Sequence, residues 1–400
     1  MQMTSGGTRT GYRTIMRVPG MPSVYLAHAV SMAGTLAAEV ALSILVYQRT
    51  GSALLSAMVL TCSFLPYLLG GTVLSSIADR FPARRVLVCC DLISGACVAA
   101  MLIPGMPVPG LLGLVLVTGI VSPIFQGTRA ASLARLLPPE VFPLGRSLLR
   151  TVSQVTVVTG FGLGSVLVAA VGPHWLLAAD AVSFGLSAAL IGLATPATSA
   201  SGTSGSVVRA STEGLRLAFA NRPLRRLLLL SWAVPLFSSV HDGLAIAYTV
   251  QTGVGAQLAG AIFTGYAVGT VAGELVVSHL SPVIRRRLVV PLVLISQLPA
   301  VLFFLVPPLP VAVVLVAVSG AGFAFNQGID PLILRTTTAE HRGRLFTIQV
   351  SGLMVVQGAG IALAGLAGTY FRPSLVLCAV GLLGTVTVLL LARRALLDFR

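Results

Sequence analysis

GTVLSSIADRFPARR, residues 71–85, is the stretch on which the interpretation of this sequence turns. A long apolar segment gives way here to Asp79, Arg80, Arg84 and Arg85, and apolar sequence resumes directly afterwards. A charged break this short between two apolar segments is typical of a hinge that joins two membrane-spanning helices. The remainder of the chain must then supply further spans.

Composition places the whole chain in a membrane. Its 400 residues are 56% hydrophobic and only 9% charged, which leaves too little polar surface for a soluble domain of this size. About twelve apolar stretches fit between the charged clusters, each close to the roughly 20 residues that a helix needs to cross a bilayer. We therefore predict an all-α membrane protein with 12 transmembrane helices.

These helices are predicted to form two six-helix bundles, in residues 1–195 and 225–400. Between them, residues 196–224 read as a cytoplasmic linker that is first rich in Ser, Thr, Ala and Gly and then forms an amphipathic helix. The predicted spans lie near residues 24–47, 53–77, 86–104, 111–132, 148–171, 174–195, 227–250, 256–281, 288–306, 310–334, 345–371 and 373–392.

An internal repeat supports the division into halves. Three separate places match when the chain is shifted by 201 or 202 residues, and each lies at a corresponding helix end. The matches are Thr50-Gly51 with Thr252-Gly253, Gly71, Arg84 and Arg85 with Gly273, Arg286 and Arg287, and Gln126-Gly127 with Gln327-Gly328. We expect the halves to be related by an axis along the membrane normal.

The net charge of +15 raises the question of nucleic-acid binding. The placement of the basic residues answers it, because all of the 26 arginines except Arg49 and Arg372 fall in alternate connections or at the termini. This asymmetry predicts a multi-pass protein of a bacterial inner membrane with both termini in the cytoplasm and no nucleic-acid partner. The apolar stretch after residue 20 is too long for a cleaved signal peptide and is interpreted as an uncleaved anchor.

No enzyme chemistry is predicted. The five cysteines lie inside apolar stretches without metal-ligand spacing, so they are interpreted as packing residues. The sequence also lacks a nucleophile with an adjacent base and a phosphate-binding GxxxxGK[ST] loop. We therefore expect no metal site, no cofactor and no ATP-driven mechanism.

Ionisable groups inside the hydrocarbon are costly and are functional candidates by default. Glu39 lies in the first predicted helix, and the repeat aligns it with His241 or Asp242 in the seventh. A carboxyl group in a cavity can bind a proton in one state and exchange it for a cationic or polar substrate in another. Gln357 in the eleventh helix is a further candidate for the same cavity. The alternative is that Asp242 is hydrated near the outer surface and that Glu39 and Gln357 only bond neighbouring helices.

A second set of charges is predicted to control conformation. Arg129 and Asp330 occupy equivalent places in the repeat and suggest a bridge between the halves near the cytoplasmic mouth, while Asp79 with Arg129 is a competing pair. Glu274 is expected to form a gate ion pair with the arginines that follow it. The gating candidates are Asp79, Arg80, Arg84, Arg129, Glu274 and Asp330, whereas Asp91 and Asp180 are interpreted as structural.

Residues 71–85 resemble the cytoplasmic loop motif of the major facilitator superfamily of secondary transporters. Further similarity to the macrolide-efflux-like branch of drug:proton antiporters is carried by VYQRTGSALLSAMVL, IADRFPARRVLV, ARLLPPEVFPLGRSL, WLLAADAVSFGLSA, EGLRLAFANRP and EHRGRLF. The loop departs from the family pattern at Ser75, Pro82 and Ala83, which shifts the gating-partner role to Arg84.

The resemblance implies a monomeric transporter that exports a small amphipathic organic compound by proton antiport. The partners it implies are that compound, protons and the lipid bilayer. A proton-coupled importer would use the same helices and carboxyl groups and remains an alternative. A non-transporting membrane receptor or enzyme is the third hypothesis.

Overall fold

The structure is a computed structural model that describes residues 18, 20–67, 81–137, 142–194, 219–336 and 342–397. All regular elements in these residues are helical. The first half contains α1 (Met21–Thr50), α2 (Ala53–Phe64), α3 (Ala83–Met101), α4 (Val108–Leu136), α5 (Phe142–Val171) and α6 (Pro173–Ala194).

The described residues of the second half form nine α-helices. They are α7 (Arg222–Ser238), α8 (Val240–Gln251), α9 (Gly260–Ser278), α10 (Pro282–Arg287), α11 (Val289–Val301), α12 (Leu309–Ala321), α13 (Asn326–Arg335), α14 (Arg342–Tyr370) and α15 (Pro373–Leu397). Short 3₁₀ turns at Ala256–Ala259, Leu302–Leu305 and Gly322–Phe325 precede α9, extend α11 and join α12 to α13.

The apolar character of these helices confirms an all-α, multi-pass membrane protein. Within the described residues, nine helical segments are long and apolar enough to cross a membrane, where α7 with α8 and α12 with α13 each count as one segment. The other three predicted spans correspond to α2, α3 and α11, which are shorter or carry more charge. Large apolar side chains point outwards along the helices, such as Leu193, which is 87% exposed, and Val182, which is 70% exposed. The number of twelve spans stays a prediction.

Local sequence explains the tight turn between the first two helices. Gly51 ends α1 in the left-handed region with φ 63°, and its N–H donates to the Tyr47 carbonyl at 2.7 Å. Ser52 then caps α2, because its hydroxyl accepts from the backbone N–H of Leu55 at 3.3 Å. A Gly-Ser pair therefore reverses the chain within two residues.

One predicted span of the second half consists of two helices in the structure. They meet beside residues that line the cavity between the two halves. The span predicted near residues 227–250 breaks at Ser239, between α7 and α8. Pro235 lies inside α7 and has no N–H to continue the hydrogen-bond ladder. The hydroxyl of Ser239 lies within hydrogen-bonding distance of the Leu236 carbonyl, at 3.3 Å, and of the Gln357 carbonyl, at 3.2 Å. Ser239 keeps right-handed helical dihedrals and its N–H donates to the Pro235 carbonyl at 3.0 Å, so α7 and α8 follow one another as a single apolar segment.

The two halves share a buried core at one end only, within the described residues. The largest cluster combines Ile44 and Ala57 of the first half with Leu244, Tyr248 and Ala364 of the second. These residues lie toward the end of the bundle where α1 ends and α2 begins, which we call the α1–α2 end. The other buried clusters each contain residues of a single half.

Backbone contact without intervening side chains joins α9 and α12. A Cβ atom built on Gly269 would lie 1.8 Å from the Ala317 carbonyl oxygen, and one on Gly273 would lie 2.3 Å from that of Ala321. Neither oxygen is a flexible side-chain atom, so only a shift of the helices could make room. Small residues at such contacts are the usual means of close helix approach in membranes.

We therefore expect Gly269→Ala to destabilise the protein by about 1 to 3 kcal/mol, the range for overpacking of a well-packed site. The measurement is the melting temperature of the purified protein in detergent. Gly113→Ala is the matched control, since a Cβ at this helical glycine meets nothing within 4 Å. Equal melting temperatures for the two variants would contradict the packing described above.

Candidate functional site

A cavity of about 650 Å³ lies between the two halves. Its walls come from α1 to α9 and from α14, together with the 3₁₀ turn before α13. Most of its lining is apolar and includes Leu36, Phe64, Phe161, Phe263, Leu353 and Met354. Polar and ionisable side chains are few and are distributed over both halves, which is typical of sites that bind drug-sized ligands.

One face of α1 supplies a polar stripe to this cavity. His28, Ser31, Thr35 and Glu39 all line it and follow one another at three or four residues, the spacing that keeps side chains on one helical face. Gly164 of α5 brings its backbone close to the opposite side of α1, since a Cβ there would lie 2.8 Å from the Ala37 Cα. The stripe is thus held toward the second half.

Asp242 lines the same cavity from α8 of the second half, whereas His241 does not. The His241 ring is 3% exposed, its Nδ1 donates to the Ser238 carbonyl at 2.7 Å, and its edge packs against Phe303 at 5.9 Å between centroids. Adjacent residues on a helix point about 100° apart, and here the Asp242 side chain faces the cavity while the His241 ring points away from it. The structure therefore brings Glu39 and Asp242 together and leaves His241 in the apolar core.

Gln357 of α14 also lines the cavity, and its backbone carbonyl accepts from Ser239 at 3.2 Å. Near it, the Ser238 and Tyr266 hydroxyls are 3.3 Å apart in the cavity wall. On the opposite side, Tyr67 bonds Ser122 at 3.2 Å and also Gln126. Both halves therefore present tyrosine hydroxyls to the cavity.

Glu39 lies between this cavity and a second, smaller one. The smaller cavity, of about 40 Å³, lies inside the first half and is lined by both Glu39 and Asp180. Asp180 is 1% exposed and accepts from the Ser183 hydroxyl at 3.1 Å. A Cβ on Gly34 would lie 2.6 Å from its Oδ1, so the absence of a side chain at Gly34 makes room for the carboxyl group.

Arg129 is a buried cation in the cavity wall. It is 9% exposed, its guanidinium donates to Nδ1 of His28, and it lies over the Phe125 ring at 5.8 Å. Asp91 lines the same wall and accepts from the Ser187 hydroxyl at 2.6 Å. These contacts give both charged groups neutral hydrogen-bond partners.

The described hydrogen bonds of Asp330 and Glu274 are made to residues other than Arg129. Asp330 accepts from Gln349 at 3.2 Å, and the Glu274 carboxylate accepts from Gln154 of α5 at 3.4 Å. Arg285, one of the arginines expected to pair with Glu274, bonds carbonyl groups at the end of α9, including that of Leu280 at 2.9 Å. The contact of Glu274 with Gln154 joins the two halves outside their shared core.

The hinge itself is described only in part. Arg84 lies in the first turn of α3 and is half-buried. Asp79, Arg80 and most of the predicted linker 196–224 lie outside the described residues. Their gating and linker roles stay predictions.

Several cavity residues were missed from the sequence, namely His28, Tyr67, Asp91, Gln126, Gln154 and Tyr266. For His28 a usable signal exists, because it precedes Glu39 by eleven residues, which is three helical turns. Asp91 was interpreted as structural, and only the packing of α3 against α6 shows that it also reaches the cavity wall.

Comparisons with known proteins find similar sequences along most of the chain. The family model for the Major Facilitator Superfamily matches residues 24–245. The chain is 28% identical over 360 residues to the multidrug efflux pump Tap of Mycobacterium tuberculosis (strain ATCC 25618 / H37Rv), which covers 86% of this chain and 85% of that protein. It is 26% identical over 339 residues to the multidrug efflux pump Tap of Mycolicibacterium fortuitum, with 80% and 82% covered.

Solved structures share the fold at low identity. A POT family transporter in complex with a thioalcohol-conjugated peptide superposes with a TM-score of 0.75 at 11% identity, covering 94% of this chain and 98% of that one. A bacterial homolog of the human lysosomal transporter Spinster, in an inward-facing and unoccupied conformation, gives a TM-score of 0.67 at 13% identity, with 98% and 96% covered.

The contact between halves at the α1–α2 end predicts a specific crosslink. A Cβ on Gly368 of α14 would lie 3.4 Å from the Ala53 Cβ of α2, close to the separation of about 3.5 to 4.5 Å found in disulfides. With the five native cysteines replaced by alanine, we expect Ala53→Cys/Gly368→Cys to form a disulfide on mild oxidation. Mass spectrometry of the linked peptides detects it.

Each single cysteine variant serves as the control and yields no intramolecular link. A double variant that stays fully reduced under conditions that oxidise a reference dithiol would show that these helices do not meet as described.

Proposed function

We propose that this chain, which belongs to the Major Facilitator Superfamily, exports small amphipathic organic compounds across the membrane in exchange for protons. The family assignment makes it a multi-pass membrane transporter rather than an enzyme. Its curated relatives are multidrug efflux pumps that match along most of both chains. This similarity supports drug-like compounds as the substrate class.

The observation that carries the proposal is the cavity with a carboxyl group from each half. Its volume of about 650 Å³ falls within the range of roughly 300 to 1,000 Å³ that accommodates drug-sized molecules. Its phenylalanine, leucine and methionine side chains suit apolar compounds of varied shape, because methionine in particular adapts to irregular ligands. The cavity contains few polar groups, so hydrogen bonding places few limits on which compounds can bind.

In the proposed cycle, Glu39 and Asp242 carry the exchange. A carboxyl group that is protonated loses its attraction for a basic substrate and releases it, whereas a deprotonated one attracts it. Since both groups line one cavity, a proton and a cationic compound compete for the same place. Gln357 would orient the bound compound by hydrogen bonding, while His241 is proposed to act on Asp242 only through the packing of α8.

Conformational control is assigned to the gating residues. We propose that residues 1–195 and 225–400 rock against each other around the cavity, with Asp79, Arg80, Arg84, Arg129, Glu274 and Asp330 setting which state is favoured near the cytoplasmic mouth. The arginine asymmetry supports both termini in the cytoplasm. We further propose that the transporter acts as a monomer.

A proton-coupled importer is the alternative. The likeness to a POT family transporter with a bound peptide conjugate extends over nearly the whole chain, but at 11% identity it supports the fold alone. The direction of coupling separates the two functions.

Reconstituted protein tests direction and energy source together. Inside-out vesicles containing the protein should accumulate a cationic dye when their lumen is made acidic, and should lose it when a protonophore is added. Accumulation that needs an acidic exterior instead would favour the importer. Accumulation that a protonophore leaves unchanged would rule out proton coupling.

Glu39→Gln is expected to abolish proton-driven dye accumulation, because the amide cannot bind and release a proton. Dye binding to the purified variant and its melting temperature should stay measurable, since glutamine has nearly the same shape. Asp398→Asn, the same change of charge close to the end of the sequence, is the control and should transport normally. Unchanged transport by Glu39→Gln would remove Glu39 from the proposed cycle.

A further inference from the structure

Arg129 brings a buried guanidinium to a cavity that the proposed function assigns to basic compounds. Its side chain is 9% exposed, and its Nε–H is buried without a hydrogen-bond partner. A guanidinium has five N–H donors and no acceptor. A buried charge of this kind is unfavourable unless acceptors surround it.

The contact with His28 does not neutralise this charge. Because the guanidinium only donates, Nδ1 of His28 must accept, and the ring proton is then on Nε2. That proton is donated to the Ser153 hydroxyl at 2.8 Å, and Ser153 in turn donates to the Leu149 carbonyl at 3.0 Å. The chain of donors is complete, so His28 is a neutral imidazole that orients Arg129.

Asp91 is the acidic side chain in the same wall as Arg129. It accepts from Ser187 and interacts with Arg129 electrostatically, without a hydrogen bond or salt bridge between them. The hydrogen bond of Arg129 is made to His28 and its ring contact to Phe125. Within the described part of the chain, no carboxylate is therefore bonded to this cation in the cavity wall.

Its position is set by the geometry of α1. His28 and Glu39 are eleven residues apart on one helix, which is about 16 Å along the axis and the same face. Since Arg129 contacts His28, Arg129 and Glu39 lie at different levels of one cavity, while Asp91 lies in the same wall as Arg129. Glu39 and Arg129 therefore present opposite charges to the cavity at two levels.

We propose that Arg129 binds the anionic group of the transported compound, so that the substrate class includes zwitterionic and acidic amphiphiles. A zwitterion would lie with its acid at Arg129 and its basic group toward Glu39 and Asp242. This inference rests on the proposed function, because it assumes that the cavity is the transport site. Arg129 would bind the acidic group of the compound, which the carboxyl groups of Glu39 and Asp242 cannot do.

Binding of two matched dyes tests the assignment. Rhodamine B carries a carboxylate and a cationic ring system, and its ethyl ester lacks only the acid. We expect Arg129→Gln to raise the Kd of rhodamine B by at least about tenfold, the loss typical of a hydrogen bond to a charged group. The Kd of the ester should not change. Fluorescence anisotropy with the full chain in lipid nanodiscs measures both.

Two further variants separate charge from fold. Arg129→Lys keeps the positive charge and should retain part of the affinity for rhodamine B. Arg372→Gln, an exposed arginine outside the cavity, is the matched control and should bind both dyes as the wild type does. Equal loss of both dyes in Arg129→Gln, no loss of either, or failure of the wild type to bind rhodamine B would each overturn the proposal.

An anionic lipid headgroup is the other source of an oxyanion. If it occupies the site, the wild type in nanodiscs that contain phosphatidylglycerol binds rhodamine B no more tightly than Arg129→Gln does, and that result also overturns the proposal. Failure of the proposed function is seen separately, as loss of proton-driven ester export by the wild type in vesicles. The binding difference between the two dyes does not depend on that export.

Discussion

A charged group in hydrocarbon must be hydrated, paired or neutralised, and this constraint organises the whole molecule. Glu39, Asp91, Arg129 and Asp242 come from four different helices, yet all line one cavity between the halves. Asp180, which does not, has its own small cavity and a serine hydroxyl. The arrangement of helices can therefore be understood as the one that keeps each of these groups away from the lipid while large apolar side chains cover the outside.

Close helix contacts make that arrangement possible. Glycines in α5, α9 and α14 let neighbouring backbones approach closely around the large cavity. At the α1–α2 end, α2 and α14 touch through Ala57 and Gly365, and the Thr61 hydroxyl donates to the Gly358 carbonyl at 3.3 Å. Small residues on both sides of this contact close the cavity with little side-chain interlocking.

The sequence predicts the features that depend on composition and on the regular spacing of residues along the chain. Apolar segments, the internal repeat and Glu39 follow from rules that act along the chain. The choice between His241 and Asp242 does not, because a shift of one residue in the repeat turns the side chain by about 100°, and only the packing of the helices shows which of the two lines the cavity. The contacts of Arg129 with His28 and of Asp91 with Ser187 join residues about a hundred positions apart, so no local pattern contains them.

The contacts between the two halves differ between the ends of the bundle. This difference affects how the protein can change between conformations. At the α1–α2 end the halves share a buried apolar core, while the described contact between Gln154 and Glu274 elsewhere is polar and only half-buried. Opening the α1–α2 end would expose apolar surface, which costs about 25 cal/mol of free energy per Å². Burial of an equal apolar area at the other end would offset this cost. A ligand shifts the equilibrium between the two open states only by its difference in affinity for them. The apolar area exposed at one end must therefore nearly equal the apolar area buried at the other. Small residues at the closing contact suit this requirement, because they limit the apolar area that each exchange has to compensate.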